Sequence, residues 1–145
     1  MFKTDIRISS GNLTGNKWAE FLNKTKGVIG TESGTYYLDK NGSLIASAIK
    51  MLEKKPYLTE EDLHKKIFST TTIKYRSGKC ISSRHFEPIG TKTCQILLEG
   101  QYNNLLTPGK HYLSVKKDYS NIEEIIKNFQ DEEQRRLIAD AAYNY

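Results

Sequence analysis

Two short segments carry side chains whose types and spacing suit ligand chemistry. Ser82-Ser83-Arg84-His85-Phe86-Glu87 sets hydroxyl, guanidinium, imidazole and carboxylate groups side by side, just ahead of the apolar run Cys94 to Leu98. If this segment opens a helix, its first N–H groups favour an anion, and Ser83, Arg84 and His85 add donors suited to a diphosphate. The two oxygens of Glu87 match a vicinal pair of ribose hydroxyls. A capped surface helix, with Glu87 paired to Arg84 or Lys92, accounts for the same residues without a ligand. Pro88 fits the first turn of a helix, which allows a start near Glu87 in place of Ser83.

The second segment is Gly30-Thr31-Glu32-Ser33-Gly34, directly after Gly27-Val28-Ile29. Its glycines let backbone approach a ligand closely, and Glu32 and Ser33 accept or donate hydrogen bonds. A plain strand-to-helix turn reads the segment equally well. The other chemically capable residues fall mostly to structure. His85 is a phosphate donor or catalytic acid, or simply a structural histidine; His111 opens a surface strand. Lys116-Lys117-Asp118 is a solvated loop unless it lies at a ligand-binding edge, and Glu99-Gly100 reads as a turn.

The elements that must position these groups alternate between helical and strand patterns. Thr4 to Ser9 alternates as an edge strand, and Trp18, Phe21, Leu22 and Thr25 share one helical face, with Trp18 in the core. Val28-Ile29 reads as a short buried strand. Leu44, Ile45, Ala48, Ile49 and Leu52 mark a second amphipathic helix after the turn Asn41-Gly42, stopped at Pro56. Thr59 with Asp62 is a capping box that starts a third helix through Leu63 and Ile67. Ser69 to Ser83 reads as loop; a short helix, the strand Cys94 to Leu98 and a strand Tyr112 to Val115 follow. Ser120 with Glu123 predicts a cap for a helix carrying Ile122, Ile125, Ile126 and Phe129. Asp131 with Gln134 predicts a cap for the last one, carrying Leu137, Ile138 and Ala141. Short apolar strands separated by helices predict an α/β fold, a Rossmann-like parallel sheet with helices on both faces, in one domain over residues 1–145. In such sheets ligands bind beyond the carboxyl ends of the strands.

Composition narrows the function classes. Of 145 residues, 37% are hydrophobic and 27% charged, an ordinary globular balance. No apolar run approaches the roughly 20 residues of a membrane span, and Met1 to Ser10 does not read as a signal peptide, so a cytoplasmic location is expected. The formal charge of +5 favours anionic ligands such as phosphates. The nearest approach to a nucleic-acid stripe is Lys74, Arg76 and Lys79 around Tyr75, too short for that class. The tyrosines, among them Tyr36-Tyr37 and Tyr143 to Tyr145, form no stacking platform. Cys80 and Cys94 are too few for a disulfide scaffold or a zinc site, and His64, His85 and His111 have no metal-ligand spacing. Cys94 reads as a buried small hydrophobe.

Two stretches resemble a family of bacterial glycosyltransferases of the GT-B fold, the glycosyl transferases group 1 branch. One runs from Trp18-Ala-Glu-Phe-Leu through Gly30-Thr-Glu-Ser-Gly-Thr. The other is Ser83-Arg-His-Phe-Glu-Pro-Ile-Gly-Thr-Lys-Thr-Cys-Gln-Ile-Leu-Leu-Glu-Gly, continuing through His111-Tyr112 and Lys116-Lys-Asp-Tyr-Ser-Asn-Ile. The resemblance implies the C-terminal half of a GT-B enzyme, a domain that binds a nucleotide-activated sugar as substrate and needs no other cofactor. Phe86-Glu87 matches the family's phenylalanine-glutamate step, which gives Glu87 the ribose-binding role. Gly90-Thr91-Lys92-Thr93 falls where relatives place a helix beside the diphosphate and base, and Glu32 faces the same cleft. The implied donor-binding set is therefore Glu87, Arg84, His85, Ser83, Thr91, Lys92, Glu32, Ser33 and Gly34. The implied setting is bacterial surface polysaccharide or lipopolysaccharide synthesis.

The sequence also departs from that pattern. Retaining members carry a second glutamate, separated by seven residues from the first; here the earlier position is Lys79, so the stereochemical outcome does not carry over. The chain has no room for an acceptor-binding domain, so the acceptor and any catalytic base are expected from a separate chain. A non-catalytic module that holds a nucleotide or a partner protein is the competing expectation. An incomplete Rossmann half also exposes a sheet edge, which predicts a homodimer.

Overall fold

The computed structural model describes residues 13–35, 39, 41–68 and 78–145; the expected strand at Thr4 to Ser9, most of the 69–83 loop, and Tyr36, Tyr37, Tyr75, Lys74 and Arg76 lie outside them. The chain divides into two compact units, residues 1–33 with 80–145, and residues 34–79.

In the first unit, three runs of β-prone apolar residues form one parallel sheet among the described residues. Its strands are β1 (Gly27–Gly30), β2 (Cys94–Leu98) and β3 (Leu113–Val115), in the order β1-β2-β3. Gly27 pairs with Cys94 and Gly30 with Leu97; Ile96 pairs with Leu113 and Leu98 with Val115. Because side chains alternate across a strand, Cys94, Leu113 and Val115 face one layer. There they meet Ile125 and Phe129 of α5 (Ile122–Gln130) and Ile138 of α6 (Glu132–Tyr143). Leu97 faces the other layer, with Tyr102, Leu106 and Tyr112 of the β2–β3 connection and Ile89 of α4 (Ser83–Gly90). The sheet is thus covered on both faces, as the alternation predicts. Among the described residues β1 is one of the two edge strands of this sheet, and Ile29 there is 86% exposed. That corrects the reading of Val28-Ile29 as buried, because α5 and α6 lie over β2 and β3.

Local signals explain the helices, with corrections. In α1 (Asn16–Lys24) only Leu22 is fully buried. Trp18 is half-buried rather than core, stacked on Phe21 at 5.4 Å between ring centroids. Asp131 caps α6 as predicted, accepting from the N–H groups of Glu133 and Gln134. The predicted Ser120 cap does not form. Asn121 takes the N-cap position of α5, and its side chain instead accepts from Lys116 N–H and donates to Ser114 O, tying the helix start to β3. In α6 the buried positions are Arg135, Ile138, Ala139 and Ala142, so Leu137 points outward. Arg135 was not singled out by its sequence context; its Nη1 donates to the carbonyls of Phe129 and Gln130, satisfying the end of α5. α4 begins at Ser83, not at Glu87, and Pro88 lies in its last turn with its ring wholly buried. In a helix this short the missing N–H deletes one hydrogen bond, and the carbonyl of Pro88 still accepts from Thr93 N–H.

The second unit holds α2 (Ser43–Lys54), α3 (Glu60–Leu63) and a π-helical turn over His64–Phe68. Gly42, with φ at 71°, supplies the left-handed residue before α2, while Asn41 and Asp39 accept from its first N–H groups. Thr59 caps α3 by accepting from Asp62 N–H, as predicted. Of the expected apolar face of α2, Leu44 is buried, whereas Ile45, Ile49 and Leu52 are exposed.

Candidate functional site

α4 runs antiparallel to the strands, because its last residue leads within four positions into the start of β2. Its N-terminus therefore opens at the carboxyl edge of the sheet, beside the end of β1. Ser33, just past β1, donates from its hydroxyl to the hydroxyl of Ser82 at 2.7 Å, and Ser33 and Cys80 form an antiparallel bridge. These bonds fasten the residue before α4 to the loop after β1. They bring Glu32, Ser33, Ser83 and Arg84 to one end of the sheet.

The N-terminal turn of α4 is closed by His85, which is buried. Ser82 N–H donates to Nδ1 at 3.0 Å, so that nitrogen is the acceptor, and Nε2 carries the proton toward the carbonyl of Thr31 at 3.2 Å. Its ring lies edge-on to Tyr102 at 5.3 Å. Both nitrogens of His85 are thus engaged by the chain itself, in the role of a cap residue's reciprocal partner.

Glu32 is the second anchor of this edge. Its Oε1 accepts from the N–H groups of Tyr102 at 2.8 Å and Gln101 at 3.2 Å. Gly100 lets the carboxylate lie close, since a Cβ there would stand 2.6 Å from Oε2 and would have to displace the Glu32 side chain. The backbone it grips is unusual: Tyr102, Asn103 and Asn104 all have positive φ, at 45°, 53° and 59°. Tyr102 Oη donates to Leu98 O at 2.6 Å, and Asn103 Oδ1 accepts from Ile81 N–H at 2.7 Å. Burial, with Tyr112 and the Glu32 carboxylate nearby, pushes the Tyr102 phenol far above its ordinary range. It stays protonated, which keeps that donor bond intact. At the same edge Glu99 Oε1 accepts from Lys117 N–H, so Lys116 and Lys117 follow β3 at the end where ligands bind in parallel sheets.

Glu87 lies one turn into α4 and is exposed. Its Oε2 accepts from Trp18 Nε1 at 2.8 Å, a link between α1 and α4. No bond among the described residues occupies Oε1. Ser83, Arg84 and Glu87 therefore share an exposed face of α4 beginning at the carboxyl edge.

Thr91 and Lys92 are not brought to that edge. They follow the C-terminus of α4 and precede β2, which puts them at the amino ends of the strands; eight helical residues, roughly 12 Å of rise, separate the two ends. Thr91 Oγ1 accepts or donates with Thr93 Oγ1 and bonds the last carbonyls of α4. Lys92 Nζ pairs with Asp140 at 2.8 Å and sits 4.7 Å from the ring centre of Tyr143, and the carboxylate bond raises its pKa. Gly34 belongs to the other unit, where its φ of 84° and the close approach of Gly78 O exclude any side chain.

What the sequence reading missed is the indole of Trp18 as the partner of Glu87 and the Gln101 to Asn104 backbone as the partner of Glu32. Both pairings span about seventy positions along the chain, beyond the reach of local spacing. Among the described residues no group of three or more His, Cys, Asp or Glu side chains could hold a metal ion. No helix described is long and apolar enough to cross a membrane. No family model matches the chain, and the comparison with curated proteins finds no match.

Proposed function

We propose that this chain is the donor-binding domain of a GT-B-type glycosyltransferase, holding a nucleotide-activated sugar at the carboxyl edge of its parallel sheet. The observation that carries the reading is Glu87. Its exposed carboxylate, on the helix that opens at that edge, is fixed through Oε2 by Trp18 of α1. A ribose diol needs two acceptor oxygens at a set orientation; Oε1 is open to one hydroxyl, and a second lone pair on Oε2 serves the other. The diphosphate would lie toward the first turn of α4, near the hydroxyl of Ser83 and the Arg84 guanidinium, where helix N–H groups favour negative charge. Glu32 and Ser33 support the site from behind by fixing the loops that frame it. His85 does so by holding the first turn.

The acceptor sugar and a catalytic base come, in this reading, from another chain or domain that closes over the edge, since transfer requires both substrates in a water-poor cleft. The exposed Ile29 on edge strand β1 supports such a partner, a second copy included. A second reading, a nucleotide-binding module without transfer activity, is favoured by the engagement of His85 and Glu32 within the chain, which takes both away from a general-base role. Calorimetric titration with nucleoside diphosphates and their sugars, on the wild type and Glu87→Ala, tests the shared premise. An assay for release of nucleoside diphosphate separates the two readings.

A further inference from the structure

The unit of residues 34–79 holds nine Lys and Arg against five Asp and Glu, so it carries four of the chain's five net positive charges. Four of its lysines are gathered at one groove. Ser47, Lys50, Met51, Lys54, Lys55 and Lys66 line a groove of about 400 Å³ beside α2. Lys50 and Lys54 stand at i and i+4, a repulsive spacing on a helix; Ser47, one turn earlier, continues the row. Three of the unit's five acids have partners of their own: Asp39 accepts from the Ile45 N–H at the start of α2, Glu61 pairs with Lys65 at 2.7 Å, and Asp62 serves the Thr59 cap. None of the described ion pairs engages Lys50, Lys54 or Lys55. The fourth lysine arrives on the π-helical turn His64–Phe68. That rare geometry inserts a residue into a helix and is common at functional sites. Lys65 and Lys66 are adjacent there, and only Lys66 lines the groove.

We propose that this groove binds a multiply charged phosphate group, with Lys50, Lys54, Lys55 and Lys66 as its cationic rim and Met51 as its apolar floor. Clustered lysines cost stability through mutual repulsion when nothing is bound, and a ligand with several negative charges converts that cost into binding free energy. The apolar floor suits a phosphate carried on an organic body, either a soluble polyphosphorylated molecule or a lipid headgroup. The site shares no residue with the Glu87 edge, and neither proposal depends on the other.

The test is a titration of the full chain with inorganic tripolyphosphate, followed by sedimentation with vesicles of phosphatidylcholine alone or mixed equally with phosphatidic acid. Saturable tripolyphosphate binding is expected, weakening as salt rises. Lys54→Gln and Lys50→Gln should each lower affinity about tenfold. Lys65→Gln, which removes the lysine paired to Glu61, and Glu87→Ala should leave it unchanged. Sedimentation with the phosphatidic acid vesicles, competed by free tripolyphosphate, would assign the phosphate to a lipid headgroup; binding of the free ion alone would assign it to a soluble ligand. Absence of saturable binding would overturn the proposal. So would a loss with Lys65→Gln as large as with Lys54→Gln, since the attraction would then be net charge and not the groove. The salt dependence of the wild type needs no variant to fold, and nucleotide binding retained in Lys54→Gln would keep the two sites distinct.

Discussion

Trp18 Nε1 donates to Glu87 Oε2 at 2.8 Å, joining the first helix to the helix that opens at the carboxyl edge of the sheet. The bond fixes one carboxylate oxygen and so orients the other. Trp18→Phe keeps a ring to stack on Phe21 but removes the donor. Its expected cost to stability is small, about 1 kcal/mol for one hydrogen bond near the surface. Its expected cost to nucleotide affinity is several-fold, because Glu87 regains rotamer freedom. Thermal melting and calorimetry on one sample read both quantities; unaltered affinity would show that Glu87 needs no orientation from Trp18.

His85 closes the first turn of α4 through both ring nitrogens. His85→Phe leaves Ser82 N–H and Thr31 O without their partner at a partly buried site, for a loss of about 1 kcal/mol. Asn at this position restores an acceptor for Ser82 N–H and should recover part of that loss. Denaturant unfolding of the two variants makes the comparison. A purely catalytic His85 would leave both as stable as wild type.

Gly27 sits beneath α5 with no room for a side chain. A Cβ there would stand 2.5 Å from the Phe129 ring and 2.8 Å from the carbonyl of Cys94. The ring can turn aside, but the carbonyl belongs to the β1–β2 ladder. Gly27→Ala should therefore destabilise by about 1–3 kcal/mol, as overpacked sites do. A melting temperature equal to wild type would mean that β1 shifts freely at the sheet's outer side.

Buried titratable groups set a pH window for stability. Burial pushes the Cys94 thiol up to about 11 from an ordinary 9.0, with Arg135 opposing weakly. Above pH 9.0 the unfolded chain releases this proton first, so stability falls as pH rises toward 11. Burial, with Lys110 adjacent, lowers the pKa of His111 below 6.5. The unfolded chain then gains that proton first, and stability falls as pH drops through 6.5. Melts across pH should show a plateau between these limits. In the native state near neutral pH a thiol reagent should modify Cys80 and spare Cys94, which is 2% exposed. Rapid labelling of Cys94 would contradict the packing described.

Much of the fold was legible because its signals are local. The apolar run at Cys94 to Leu98 and the caps at Thr59 and Asp131 depend on neighbours within four positions, and each forms as read. Pro88 misled because its rule describes long helices, whereas α4 ends two residues later. Ser120 misled because Asn121 offers both an acceptor and a donor, and so bonds Lys116 and Ser114 as it opens α5. The α2 face was legible in period but not in depth, since nothing in the spacing of Ile45, Ile49 and Leu52 says which of them finds a partner. At the candidate site the residue types were readable and their gathering was not. Antiparallel placement of α4 against the sheet sends Ser83 and Lys92 to opposite ends, and no reading of a contiguous segment contains that fact.

In the proposed reading, nucleotide binding rests on Glu87 as a ribose-binding carboxylate. The most direct measurement is calorimetric titration of wild type and Glu87→Ala with UDP and GDP, with circular dichroism to verify the variant's fold. The expected result is saturable binding of one of these nucleotides by the wild type and its loss, by about tenfold or more, in a folded Glu87→Ala. Wild type that binds neither nucleotide or their sugars, or a folded Glu87→Ala that binds as tightly as wild type, would contradict it.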